Sequence, residues 1–174
     1  MHFHLDTQIR QPLGKVSLAV RDHMCDVAKY IPDIESIQET ERAHLPHGLR
    51  VVNLWQAKIE LPALARDFIK PEMLRWIDTA QWDEQGHHCS WHLELPYFEG
   101  AVHCNGQTRL EPAILNRTRV VFEGNLKIGD LKGFGGPFSG MVTKVVEGVM
   151  VKLIPENFKK ISHAVEQFLA EHPH

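Results

Sequence analysis

Four of the chain's twelve histidines and two of its three cysteines fall in one stretch, GHHCSWHLELPYFEGAVHCNG, from Gly86 to Gly106. Imidazole and thiolate are zinc ligands, and together they are also material for nucleophilic catalysis. Either chemistry needs side chains that converge, so their directions decide the matter. Side chains alternate along a strand. HHCSWHLEL therefore sends Cys89, Trp91, Leu93 and Leu95 to one face, and His88, Ser90, His92 and Glu94 to the other. In AVHCNGQTRL the apolar set is Val102, Cys104, Gly106, Thr108 and Leu110, with His103 opposite. In TRVVFEGNLKI it is Val120, Phe122, Gly124, Leu126 and Ile128. The rule places His88, His92 and His103 on a solvated outer face and the cysteines inside. One tetrahedral site cannot hold both, and no metal centre is expected. Cys89 and Cys104 read as small apolar packing residues.

Other motifs are weaker. GFGGPFSG, Gly133 to Gly140, has four glycines in eight residues but lacks the GK[ST] ending of a phosphate-binding loop and follows no βα unit. Nucleotide binding is rejected. Ser139 there is a candidate helix cap. GxSxG and HExxH are absent. His23, Asp78 and Tyr97 are the candidates for acid–base work, and none has a partner at a recognisable spacing. No cofactor is implied.

These residues must be held by something. The alternation in residues 2–9 predicts a strand, and residues 13–31 predict one helix or two short ones. Strands follow over 34–44, 48–59, 73–82, 87–95, 101–112 and 117–128, at spacings that imply an antiparallel meander. LPALARDFIKP, bounded by prolines, suits a lid over a cavity mouth or a short helix at the sheet edge. From Val142 the period becomes helical, and Pro155 predicts a kink or a break before Phe158, Ile161, Val165, Phe168 and Leu169 resume the stripe. Only that terminal helix is large enough to cover the sheet's apolar face. The fold class is α+β: a curved antiparallel β-sheet wrapped around a long C-terminal helix, with short helices after the first strand.

This order resembles the START-like (SRPBCC, helix-grip) superfamily, close to a bacterial branch of unassigned function. The matching text is LPALARDFI, the TAQW strand ending, SWHLELP followed by GQTRLEP, and RVVFEGNLKI running through a Gly-rich loop into the last helix. The resemblance spans nearly the whole chain and implies a single domain over residues 1–174. Its layout raises the expectation of a cavity between sheet and helix that holds a hydrophobic small molecule or lipid.

Gly106 and Gly124 on the inward face mark a close approach, by helix backbone, by a bulge or by a ligand. The ligand reading places Trp91, Cys104, Gly106, Thr108, Phe122 and Gly124 at the site. Phe98, Phe134 and Phe138 would stand at its rim, with Val146 and Met150 on the helix. Three functions remain: a carrier or sensor, a cyclase- or hydrolase-type enzyme using the same cavity, and an interaction module that homodimerises through a sheet edge or the convex face.

The 174 residues are 43% hydrophobic and 24% charged, with net charge −3. That balance calls for no nucleic-acid partner. No run approaches the roughly 18 apolar residues of a membrane span, so no stable insertion is expected. An odd cysteine count without CxxC fits a reducing compartment. With no basic and apolar leader pattern at the start, the expectation is a cytoplasmic protein.

Overall fold

The computed structural model describes residues 1–58, 60, 66, 69–129 and 139–173, with side chains 139, 141–143, 145–147 and 149–155 outside the description. Most of LPALARDFIKP, expected as a lid or a short helix, the Gly-rich loop with Phe134 and Phe138, the Ser139 cap, and the side chains of Val146 and Met150 fall outside it.

Seven strands form one sheet: β1 (His2–Ile9), β2 (Ile34–Leu45), β3 (Gly48–Ala57), β4 (Arg75–Trp82), β5 (His88–Glu94), β6 (Val102–Ala113) and β7 (Arg117–Ile128). Their order is β1-β7-β6-β5-β4-β3-β2, and all neighbours are antiparallel. The meander from β2 to β7 is thus completed by the first strand, which joins it at the β7 edge. Between β1 and β2 lie two short helices, α1 (Leu13–Asp22) and α2 (Met24–Val27), the sequence's second option. α1 buries Val16 and Ala19 completely, and its Ser17 hydroxyl donates to the Gly86 carbonyl at 2.7 Å.

The chain ends in α3 (Ser139–Glu171), a single helix that runs through Pro155. The break offered as one outcome at Pro155 does not occur. Proline leaves one carbonyl of the preceding turn without its donor, and the docking of the turns that follow outweighs that loss. Phe158 packs on three strands at once, with ring centroids 5.9 Å from Phe3, 5.6 Å from Trp91 and 4.2 Å from Phe122. Further on, Ala164, Val165, Phe168 and Leu169 are buried. Polar staples hold the same half: Glu166 accepts from Arg10 at 2.6 Å, Glu171 accepts from Tyr30 at 2.6 Å, and Lys160 pairs with Asp33. Among the described residues no helix is long and apolar enough to cross a membrane.

The face assignments of β5, β6 and β7 hold with one exception. Val121 is an outward position yet only 1% exposed. Its cross-strand neighbours are Asp6 and Arg109. They belong to a charged lattice in which Asp6 bonds Arg119 at 2.5 Å, Arg119 bonds Glu111 at 2.9 Å, and Arg109 bonds Glu123 at 3.3 Å. Long side chains lay their aliphatic stems on apolar surface while their heads stay wet, so a valine is covered on the solvent side.

Candidate functional site

The described residues leave open space between sheet and α3. A cavity there leaves about 170 Å³ open to the centre of a water molecule. One water needs roughly 10–15 Å³ by that measure, and an apolar void of similar size admits a benzene-sized ring. Its walls come from inward positions of β3 to β7, from α1 and α2, and from Asn157, Phe158 and Ile161 of α3.

Each strand contributes alternate residues, as the pleat requires. β3 supplies Val51, Asn53, Trp55 and Ala57; β4 supplies Trp76, Asp78, Ala80 and Trp82; β5 supplies Cys89, Trp91 and Leu93. All four tryptophans of the chain therefore line one cavity. Trp55 and Trp76 are cross-strand partners and stack at 5.5 Å with their planes 20° apart.

Three residues of this wall carry a polar atom that is itself closed off. Trp55 Nε1, Asp78 Oδ1 and Asn157 Oδ1 are each buried and without a hydrogen-bond partner among the described residues. Buried polar atoms are normally paired, and each exception calls for a cause. Here all three belong to residues that border the same space. Asp78 is partly accessible and lines the cavity. Its pKa is pushed up to about 7, because burial penalises the carboxylate; the charge of His92 and the nearby Trp55 indole oppose the rise. The indole N–H comes close enough to temper the shift but does not reach hydrogen-bond geometry. Burial and the neighbouring Asp78 push the Cys104 thiol up to about 12 and hold the Cys89 thiol higher still.

Of the residues that the sequence proposed, Trp91, Thr108 and Phe122 line the cavity. Trp91 Nε1 donates to the Thr108 hydroxyl at 3.1 Å, which spends that polar pair on itself. Cys104 is buried, and neither it nor Phe98 lines the cavity. Phe98 packs edge-on against Tyr97 at 5.3 Å, in the turn after β5. Gly106 and Gly124 face each other across β6 and β7, but they are not its floor. A Cβ at Gly106 would stand 2.6 Å from the Trp91 ring and 2.1 Å from the Glu123 carbonyl oxygen. One at Gly124 would stand 2.4 Å from the Phe3 ring. The close approach marked by these glycines is that of aromatic rings lying on the sheet.

Asn53, Trp55, Trp82 and Asn157 were not singled out by sequence. A signal existed for the first two: in LRVVNLWQA, the inward set read by alternation places an asparagine between Val51 and Trp55. Of the catalytic candidates Asp78 lines the cavity, whereas His23 and Tyr97 do not. Three of the four histidines of the opening stretch, His88, His92 and His103, stand on the convex face. His88 meets Gln107 at 3.3 Å, His92 meets Glu94 at 2.8 Å and His103 meets the Gly100 carbonyl at 3.1 Å. Among the described residues no three His, Cys, Asp or Glu side chains converge as a metal set.

No family model matches the chain, and no curated protein matches it in sequence. Solved structures do match. The chain is similar to the Zhui aromatase/cyclase from Streptomyces sp. R1128, with a TM-score of 0.68 and 15% identity over 100% of this chain and 96% of that one. It is similar to Ara h 8.0201, with a TM-score of 0.60 and 16% identity over 98% of each chain. It is also similar to the norcoclaurine synthase of Thalictrum flavum, with a TM-score of 0.58 and 10% identity over 99% of this chain and 87% of that one. The fold shared with these structures is the helix-grip α+β fold.

Proposed function

We propose that this protein is a carrier or sensor of a hydrophobic small molecule, held between the sheet and α3. The observation that carries this reading is an open, tryptophan-lined cavity whose wall also holds Asn53, Asp78 and Asn157. Ligand sites combine apolar walls with a few polar groups that fix orientation. The experiment is native mass spectrometry of protein purified from cells, joined to titration with 2-phenylethanol followed by tryptophan fluorescence. A co-purifying small molecule, or a saturable 1:1 fluorescence change, is the expected result. No bound species together with no response to the probe would overturn it.

One observation favours a second reading, an enzyme using the same cavity. Asp78 faces the space with a pKa of about 7, where a general acid or base works best near neutrality. An aromatase/cyclase and a norcoclaurine synthase share the fold. A catalytic role requires that a bound compound be chemically altered and that Asp78→Asn stop the change. Recovery of the compound unaltered supports carriage.

A further inference from the structure

We propose that the cavity is selective for amines: its ligand is an aromatic or otherwise apolar amine whose ammonium group sits against Asp78. This inference rests on the binding reading above and names the ligand's polar end.

Among the described residues, two of the three unpartnered buried atoms, Asp78 Oδ1 and Asn157 Oδ1, are acceptors, and Trp55 Nε1 is a donor. The polar end of the ligand must therefore be chiefly a donor. Among the described residues no Lys or Arg forms an ion pair with the buried Asp78 carboxylate. β3 presents Asn53 and Trp55 beside it, and β5 presents Leu93 opposite it. His92 of β5 lies on the convex face and bonds Glu94. Cys89 and Cys104 feel its charge but remain neutral thiols. Arg21 of α1 borders the cavity, yet its guanidinium pairs with Asp22 at 2.7 Å. The described wall of α3 adds Asn157, Phe158 and Ile161, none of them charged.

The walls favour the same sign. Trp55, Trp76, Trp82, Trp91, Phe122 and Phe158 all border the space, and aromatic faces attract cations. A ligand carboxylate or phosphate would meet Asp78 with like charge and find a single N–H donor. Fatty acids and anionic lipids are accordingly poor occupants, while an ammonium gains a charge-assisted hydrogen bond, stronger than a neutral one.

The test compares three probes of matched size: 2-phenylethylamine, 2-phenylethanol and 3-phenylpropionate, titrated calorimetrically at pH 8 and pH 5.5. At pH 8 the amine is expected to bind about tenfold tighter than the alcohol, the difference of about 1.4 kcal/mol between charged and neutral hydrogen bonds, with the acid weakest. At pH 5.5 Asp78 is protonated and the advantage shrinks. Asp78→Asn should remove the amine's advantage over the alcohol at pH 8. The wild-type series alone is decisive if that variant fails to fold. If the alcohol equals or outbinds the amine at pH 8, the cavity binds apolar ligands and amine selectivity is wrong. An amine preference that survives in the variant also overturns it. If none of the three binds, the binding reading itself fails.

Discussion

Replacing Asp78 by Asn should make the protein more stable at neutral and higher pH, by an amount that depends on pH. In the unfolded chain this carboxyl titrates near 3.8; in the folded chain it titrates at about 7. Below 3.8 both states carry the proton and the group costs nothing. As pH rises toward 7 the unfolded chain releases its proton while the folded chain keeps it, so stability falls through this window and levels off above it. At about 1.4 kcal/mol per pH unit, the whole interval is worth on the order of 4 kcal/mol, of which roughly 3 lies between pH 5 and 7. That is a large share of the 5–15 kcal/mol typical of a domain. The asparagine keeps the shape and cannot ionise. Urea denaturation of both proteins at pH 5, 6, 7 and 8 measures the difference directly. The two curves should diverge as pH rises, with the wild type losing ground. Parallel curves would refute the claim that Asp78 is a desolvated, unpaired acid.

Four further outcomes follow from the same geometry. Gly106→Ala should destabilise by about 1–3 kcal/mol or more, the cost of overpacking, since its Cβ would meet the Glu123 carbonyl oxygen at 2.1 Å; urea midpoints check it. Phe122→Ala should cost about 3–5 kcal/mol, because Phe122 packs 4.2 Å from Phe158 and helps anchor α3; a smaller loss measured by thermal or urea unfolding would mean the helix is held elsewhere. Arg119→Ala, despite its bonds to Asp6 and Glu111, should cost under about 1 kcal/mol, as exposed ion pairs do. Thiol titration of the native protein at pH 8 should count one fast group, exposed Cys25, with Cys89 and Cys104 reacting only after unfolding.

Much of the fold was legible because alternation is a local property. The faces of β5, β6 and β7 follow from counting residues, and they settle the histidine question: His88, His92 and His103 are outdoors because each occupies the phase opposite to a buried neighbour. The site was only partly legible because its features depend on cross-strand register. Gly106 and Gly124 announced a close approach, but only the pairing of Trp91 with Gly106, and of Phe3 with Gly124, shows which rings lie there. Asp78 looked isolated in sequence. Asn53 is its partner on β3, and Asn157 lies nearly eighty positions away on a helix. Pro155 carries a local helix-breaking signal that tertiary packing of Phe158 and the residues beyond it overrides. Val121 falls on the outward phase by alternation, but its burial beneath charged neighbours on adjacent strands depends on cross-strand register.

The claim that a small molecule enters this space is tested most directly by the four indole N–H resonances, since every tryptophan borders the cavity. In ¹H–¹⁵N spectra at pH 8, 2-phenylethylamine should shift them saturably, Trp55 most because its N–H is unpartnered and Trp91 less because it already donates to Thr108. If the probe leaves all four indole peaks in place, or moves only backbone amides of the convex face, the cavity is not a binding site.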